Sequence, residues 1–275
     1  MLAGGKAASK CKQLANWGSC LSWILQMFVH QDVILATYGF QKLPGTAGAA
    51  HLWVSSEDQW LPKPPTCSET GLKMYYPLDL ASAMPVLALV GSTSHPRAVL
   101  DACAAPGGKF LVMAGVFLSD SLPATKLVAI ENDAFRLSRL KQNLRLYLPK
   151  FLSKRVVVLR GDASRILGRA PDPFDAILVD APCSSERERL LRGLGRQKDE
   201  PWREEKAKAN SRRQVSLLRS ALENAIGTVV YATCALSHIE NDAVVQETSL
   251  PKRCLLHFFF NPMSVWTTPC INILL

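Results

Sequence analysis

The sequence predicts an α/β fold, a parallel sheet covered by helices on both faces. Three features predict it: short apolar runs of strand length recur, helical periodicity separates them, and polar or glycine-rich residues follow each run. The first run, Ala98–Cys103, enters a glycine-rich turn, and Lys109–Ser119 continues with helix-compatible spacing. Leu127–Ile130 and Val156–Leu159 are two further strands. Between them Leu137, Leu140, Leu144 and Leu148 form an apolar helical stripe, with Arg136, Arg139, Lys141 and Arg145 off it, until Pro149 ends the helix. Ala176–Val179 makes a fourth strand, Val215–Leu222 a helix, and Thr228–Ala232 a fifth strand.

The 275 residues are 48% hydrophobic and 20% charged, a globular composition that allows one large domain or two modest ones. No apolar run reaches the roughly 18 residues needed to cross a bilayer. The eight cysteines include no CxxC pair, so neither a zinc site nor a disulfide framework is the natural reading, and no metal is expected. Reduced thiols in an intracellular protein fit better. A net charge of +9 concentrates polyanions around the chain and makes nucleic acid the leading partner class.

Residues 1–70 read as an N-terminal extension. No carboxylate precedes Asp32, while Lys6, Lys10 and Lys12 lie among small and apolar residues, which suits an organelle-targeting segment or an ordinary basic N-terminus. Pro44, Pro62, Pro64 and Pro65 mark Gln41–Gly71 as an irregular connector. A second unit spans 71–246 and a divergent tail 247–275. Within the second unit, Glu186–Arg213 holds ten basic and six acidic residues, the pattern of a solvated face or of an RNA-binding one.

In a doubly wound sheet, ligands lie beyond the carboxyl ends of the strands. The first strand ends in Asp101, Ala102, Cys103, Ala104, Ala105, Pro106, Gly107, Gly108 and Lys109. The two glycines would let a ligand approach the backbone at a helix start, and Lys109 is available for a ligand carboxylate. The loop is neither a phosphate-binding P-loop nor a dinucleotide G-x-G-x-x-G turn. Glu131 follows the second strand, where it can accept from both ribose hydroxyls, and Asp162 follows the third, within reach of an adenine amine. Singly, each carboxylate reads as a helix cap or solvated charge; on successive strands they outline a site for S-adenosylmethionine, which has a sulfonium and an amino acid where ATP has phosphates.

The fourth strand ends in Asp180-Ala-Pro-Cys183 and the fifth in Tyr231-Ala-Thr-Cys234. Cys11, Cys20, Cys67, Cys254 and Cys270 read as small buried hydrophobes. Two thiols beside a methyl donor have a chemical rationale. Carbon 5 of cytosine is too weak a nucleophile unaided, so a thiolate first adds to carbon 6. Asp180, protonated or sharing a proton with ring nitrogen 3, would stabilise charge in the adduct. The geometry expected is two sulfurs on opposite sides of one flipped-out pyrimidine.

Over roughly Gly71 to Gln246 the chain resembles the Nol/Nop/Sun (RsmB-like) family of RNA cytosine carbon-5 methyltransferases. The matching stretches are Tyr75–Ser82, Met84–Leu89, Asp101–Lys109, Asp180–Ser184 and Tyr231–Leu236. Leu236–Asn241 with Val244 and Val245 looks most like the mitochondrial branch that modifies rRNA, with a tRNA branch next. The resemblance implies a Rossmann-like S-adenosylmethionine-dependent methyltransferase fold. It implies Cys234 as nucleophile, Cys183 as the residue assisting product release, and cofactor contacts from Cys103 to Lys109, Glu131, Arg136, Asp162 and Asp180. It also implies RNA as partner, with Arg187, Arg189, Arg212 and Arg213 on phosphates and Trp202 stacked on a base. DNA cytosine methyltransferases use instead the Pro-Cys cysteine of the fourth strand, and the Thr233-Cys234 pair disfavours that reading.

Two departures stand out. Glu223-Asn-Ala-Ile-Gly227 replaces the Lys-Pro-Gly-Gly turn of relatives, so the last strand is expected to begin in altered register. Glu247–Leu275 lacks the family's lysine-bearing final strand and leaves completeness of the C-terminal hairpin open. The rival function is a methyltransferase-fold protein that binds RNA, or assists ribosome assembly, without turnover.

Overall fold

A computed structural model of the chain describes residues 22–27, 41–42, 50–55, 63–118, 122, 125–187, 202–248, 255–259 and 270–274. Two sheets organise it. The first is four-stranded and antiparallel, with β1 (Ser22–Met27), β2 (Gln41–Lys42), β3 (Ala50–Ser55) and β4 (Tyr75–Asp79) in the order β2-β3-β1-β4. The connector expected over Gln41–Gly71 therefore contains regular structure. Turn-forming residues flank the short Ala50–Ser55 strand and mask it, while its Leu52 joins the hydrophobic core.

The second sheet follows the predicted alternation. Its strands are β5 (Ala98–Asp101), β6 (Lys126–Glu131), β7 (Val156–Arg160), β8 (Phe174–Asp180), β9 (Ala225–Ala232), β10 (Leu255–Phe259) and β11 (Cys270–Leu274). They lie in the order β11-β10-β9-β8-β5-β6-β7, parallel except for β11. The C-terminal hairpin that the sequence leaves open is present as the β10–β11 pair.

Helices cover both faces, which is why β5, β6 and β8 read as almost continuous apolar runs. One core packs α1 (Leu80–Gly91), α2 (Gly108–Phe117) and α3 (Ala134–Tyr147) on one face; the other packs α5 (Ala163–Leu167), α6 (Glu204–Asn224) and α7 (Asp242–Glu247) on the opposite face. A single turn, α4 (Lys150–Ser153), precedes β7. In α3, Asp133 caps the start by accepting from the Arg136 N–H, and Leu137, Leu140 and Leu144 face the core. Helix α6 begins at Glu204, well before the expected Val215. Its first half turns Ala207, Ser211 and Gln214 inward, so the apolar period is invisible there.

The ladder between β8 and β9 is irregular only at the start of the last strand. Phe174 pairs with Ala225, but Ala176 pairs with Thr228, and the ladder then runs regularly to Asp180 opposite Ala232. A bulge absorbs the extra residue. At Gly227 a Cβ would lie 2.2 Å from the Asp175 carbonyl oxygen, a backbone atom that cannot swing aside. Gly227→Ala is thus expected to destabilise the fold by about 2–3 kcal/mol, read as a lowered denaturation midpoint.

Because β6 and β7 extend the sheet on one side of β5 while β8 and β9 extend it on the other, the switch point lies between β5 and β8. The loops after these strands meet there.

Candidate active site

The β8 and β9 loops bring together two residues far apart in sequence. Cys183 Sγ and Cys234 Sγ lie 3.1 Å apart, both free thiols and both partly exposed. Parallel pairing of Asp180 with Ala232 sets this meeting, because each cysteine follows its strand by two or three residues. The two sulfurs converge, as the geometry expected from the sequence requires. In this structure they touch, with no space between them.

One proton shared across this contact makes the thiols unequal. The contact with Cys183 holds the Cys234 thiol below its ordinary pKa, against the opposing effects of burial and of the Asp180 charge; Ser185, with Oγ at 3.6 Å, and the nearby Lys109 charge act in the same direction as Cys183. The same contact, reinforced by burial, raises the Cys183 thiol. Of the two thiols, Cys234 is the one whose ionised form the contact favours. Cys103 is also raised, by burial and then by the carboxylates around it.

Beside the thiols, Lys109 Nζ pairs with Asp180 Oδ2 at 2.8 Å. Lys109, read from sequence as a partner for a ligand carboxylate, is thus already engaged. Burial alone would lower its pKa, but the Asp180 charge and hydrogen bond outweigh it and the ammonium is stabilised. Asp101 lies beneath, fully buried, with Oδ1 accepting from the Cys103 N–H and Oδ2 without a hydrogen bond. Burial, then the negative charge of Asp180, pushes its carboxyl up to about 7.

A cavity of about 420 Å³ opens beyond the ends of β5, β6 and β7, and Cys103, Glu131, Arg136, Asp162 and Arg213 are on its wall. Glu131 is buried; Oε1 accepts from the Asp133 N–H at 2.9 Å, while Oε2 has Arg136 at 3.8 Å and no hydrogen bond. A buried carboxylate oxygen in a cavity wall suits a ligand diol. Arg136 also donates to the Ala105 carbonyl at 2.5 Å, tying the glycine loop to α3. Asp162 Oδ1 accepts from the Ser164 N–H and hydroxyl, so the residue caps α5 and lines the cavity as well.

The loop itself differs from its reading. Ala104 and Ala105 are buried in the core, and Pro106 follows a cis peptide bond. Gly107 adopts φ +112°, and the space a side chain would fill at Gly107 and Gly108 is taken by Leu140 and Leu78, at 2.9 and 2.8 Å. Gly107 is favoured there by its left-handed φ, and a side chain at either glycine would press on a leucine terminus.

Among the charged residues, Arg187 is paired with Asp79, which caps α1. Arg212 and Arg213 are exposed and Trp202 is 44% exposed; Arg189 lies outside the described residues, as do Lys6, Lys10, Lys12, Cys11, Cys20 and Cys254. Cys67 is buried, as expected. Among the described residues, no cluster of three His, Cys, Asp or Glu could hold a metal, and no helix is long and apolar enough to cross a membrane. Sequence reasoning missed Asp101, Gln214, Ser185 and the roles of Glu240 and Asn241. Glu240-Asn241 at the end of the recognised segment was the available signal, but only the fold brings the pair to the cysteines.

Known proteins match in the same region. The family model for the 16S rRNA methyltransferase RsmB/F matches residues 88–256. The mouse protein "tRNA (cytosine(34)-C(5))-methyltransferase, mitochondrial" is 38% identical over 182 residues, covering 65% of this chain and 50% of the relative. The "5-cytosine rRNA methyltransferase NSUN4" of Xenopus tropicalis is 35% identical over 185 residues, covering 64% and 42%. The chain spans about half the length of the curated relatives it matches. The crystal structure of NSun6 from Pyrococcus horikoshii with SFG superposes with a TM-score of 0.60 at 17% identity, covering 98% of this chain and 94% of that one, a likeness of fold. With the parallel sheet, its switch-point cavity and the family match over most of the second unit, the chain belongs to the RsmB/F methyltransferase family and has its Rossmann-like fold.

Proposed function

We propose that the protein is an S-adenosylmethionine-dependent methyltransferase that forms 5-methylcytosine in structured RNA through a cysteine adduct at carbon 6. The observation that carries this reading is the 3.1 Å approach of Cys183 and Cys234 beside the Lys109–Asp180 pair. The Cys234 thiolate attacks carbon 6 of the unstacked base and makes carbon 5 electron-rich. The proton of the Lys109 ammonium, relayed through Asp180, is available to ring nitrogen 3 as negative charge develops there. Once carbon 5 carries its methyl, a base removes the carbon-5 proton, the Cys234 thiolate is expelled and nitrogen 3 returns its proton to the Asp180–Lys109 pair. Cys183, holding its proton, is poised to stabilise the departing thiolate and so assist release.

S-adenosylmethionine, when bound, supplies an electrophilic methyl on a sulfonium. The residues present fit it. Glu131, with one buried oxygen free of hydrogen bonds, would hold the ribose hydroxyls, Arg136 and Cys103 would flank them, and Asp162 would reach the adenine amine. Ala104 to Gly108 would act by shaping the loop, and Lys109 and Asp180 by bounding the methyl-bearing end.

Arg212, Arg213 and Trp202 supply exposed charge and an aromatic face for RNA. The Leu236–Asn241 segment favours mitochondrial rRNA as the target; the 38% identity to the mouse mitochondrial tRNA methyltransferase favours a mitochondrial tRNA as the second reading. Bisulfite sequencing of organelle and cytosolic RNA after depletion decides between them, and between a mitochondrial site of action and a nucleolar or cytoplasmic one.

Calorimetry tests the cofactor assignment. The protein should bind S-adenosylmethionine, and Glu131→Ala should weaken binding about 10- to 100-fold through loss of charged hydrogen bonds. No heat of binding at millimolar cofactor would leave a non-catalytic RNA-binding protein as the better reading.

A further inference from the structure

We propose that the adjacent residues Glu240 and Asn241 are positioning residues that divide the two cysteines between them, Glu240 holding the turn of Cys183 and Asn241 the turn of Cys234. This rests on the roles assigned above to those cysteines. Glu240 is fully buried in the 3-10 turn His238–Glu240. Its Oε1 accepts from the Ser184 N–H at 3.1 Å and from Gln214 Nε2 at 3.0 Å, and Gln214 Nε2 also donates to the Pro182 carbonyl at 2.9 Å. Carboxylate and amide thus grip the backbone on both sides of Cys183. Asn241, also buried, holds the turn of Cys234 through one hydroxyl before it and two carbonyls after it. Its Oδ1 accepts from the Thr233 hydroxyl, and its Nδ2 donates to the Ala235 and Ser237 carbonyls at 3.1 and 3.0 Å.

The two grips are separable. The Glu240 carbonyl is held by the Tyr231 hydroxyl at 2.8 Å, so the 3-10 turn keeps an anchor when the Glu240 side chain is removed. Glu240 Oε2 and Gln214 Oε1 are buried without hydrogen bonds, a desolvation cost carried alongside the bonds that hold the turn. An apolar pair in their place could not fix the Pro182 carbonyl and the Ser184 N–H, and with them the Cys183 sulfur. Displacements of about 1 Å at a reacting centre cost about 100-fold in rate.

The test follows opposite phenotypes on the full chain, incubated with S-adenosylmethionine and total RNA from cells depleted of the protein. Denaturing gels read the covalent complex. Glu240→Ala should slow release about 10- to 100-fold, so the complex accumulates as in Cys183→Ala. Asn241→Ala should suppress formation of the complex, as in Cys234→Ala. Glu240→Gln, which keeps an acceptor for Ser184, should recover most of the release rate. A generally loosened fold would instead lose complex in both alanine variants alike, and that result overturns the proposal, as does Glu240→Ala releasing RNA as fast as the parent protein while Cys183→Ala traps it. Should Glu240→Ala fail to fold, Gln214→Leu, which removes the Pro182 grip from outside the turn, decides by the same gel. If Cys183→Ala itself traps nothing, the assignment of the cysteines fails and this inference with it.

Discussion

Cys234→Ala is expected to lose methyl transfer by about 10⁴-fold or more and to form no covalent RNA complex, while Cys183→Ala forms the complex and cannot discharge it. The asymmetry comes from the shared proton. Cys183 and Cys234 touch at 3.1 Å, and the proton that stays with Cys183 depresses the Cys234 pKa. An ordinary thiol with a pKa near ~8.5 is only a few per cent ionised at neutral pH, so depression raises the nucleophile population where it is needed. Cys183→Ala also removes the hydrogen bond that lowers Cys234. Adduct formation in that variant should therefore need a higher pH than in the parent protein. Gel-resolved complex, with radiolabelled methyl incorporation, distinguishes the roles. Complex trapped by Cys234→Ala, and absent with Cys183→Ala, would reverse the assignment.

Asp180→Asn is expected to lower kcat about 10²- to 10³-fold while leaving S-adenosylmethionine affinity within a few fold. The substitution keeps the shape of the side chain and the backbone pairing with Ala232. It removes the charge that faces Lys109 at 2.8 Å and that stabilises the Lys109 ammonium against burial. Lys109 then loses its proton more readily, and the relay to ring nitrogen 3 is broken. An unchanged kcat would show that the pair serves only to neutralise buried charge. A loss of cofactor binding as large as the loss of kcat would place Asp180 in the cofactor site instead.

The hydrophobic pattern made the parallel sheet legible, since burial on both faces turns its central strands into short apolar runs separated by helical periods. Glu131, Asp162, Cys183 and Cys234 were legible because the ends of such strands are where a doubly wound sheet presents side chains. Strand Ala50–Ser55 was not legible, as neighbouring turn formers dominate its composition. The first half of α6 was also hidden, because small and polar residues, not apolar ones, form its buried face. The glycines at 107 and 108 were legible as a special turn, but not as one filled by Leu140 and Leu78 from distant elements.

The sequence by itself determined the class of fold, the strand ends and the chemical types placed there, because these depend on local periodicity and side-chain identity. Only the tertiary structure decided that the two sulfurs touch, that Lys109 pairs with Asp180 and Arg187 with Asp79, and that Glu240 and Asn241 bond to the cysteine turns. Those pairings are set by strand register and by which loops a shared core brings within about 3 Å of each other, a condition of distance that order along the chain does not carry.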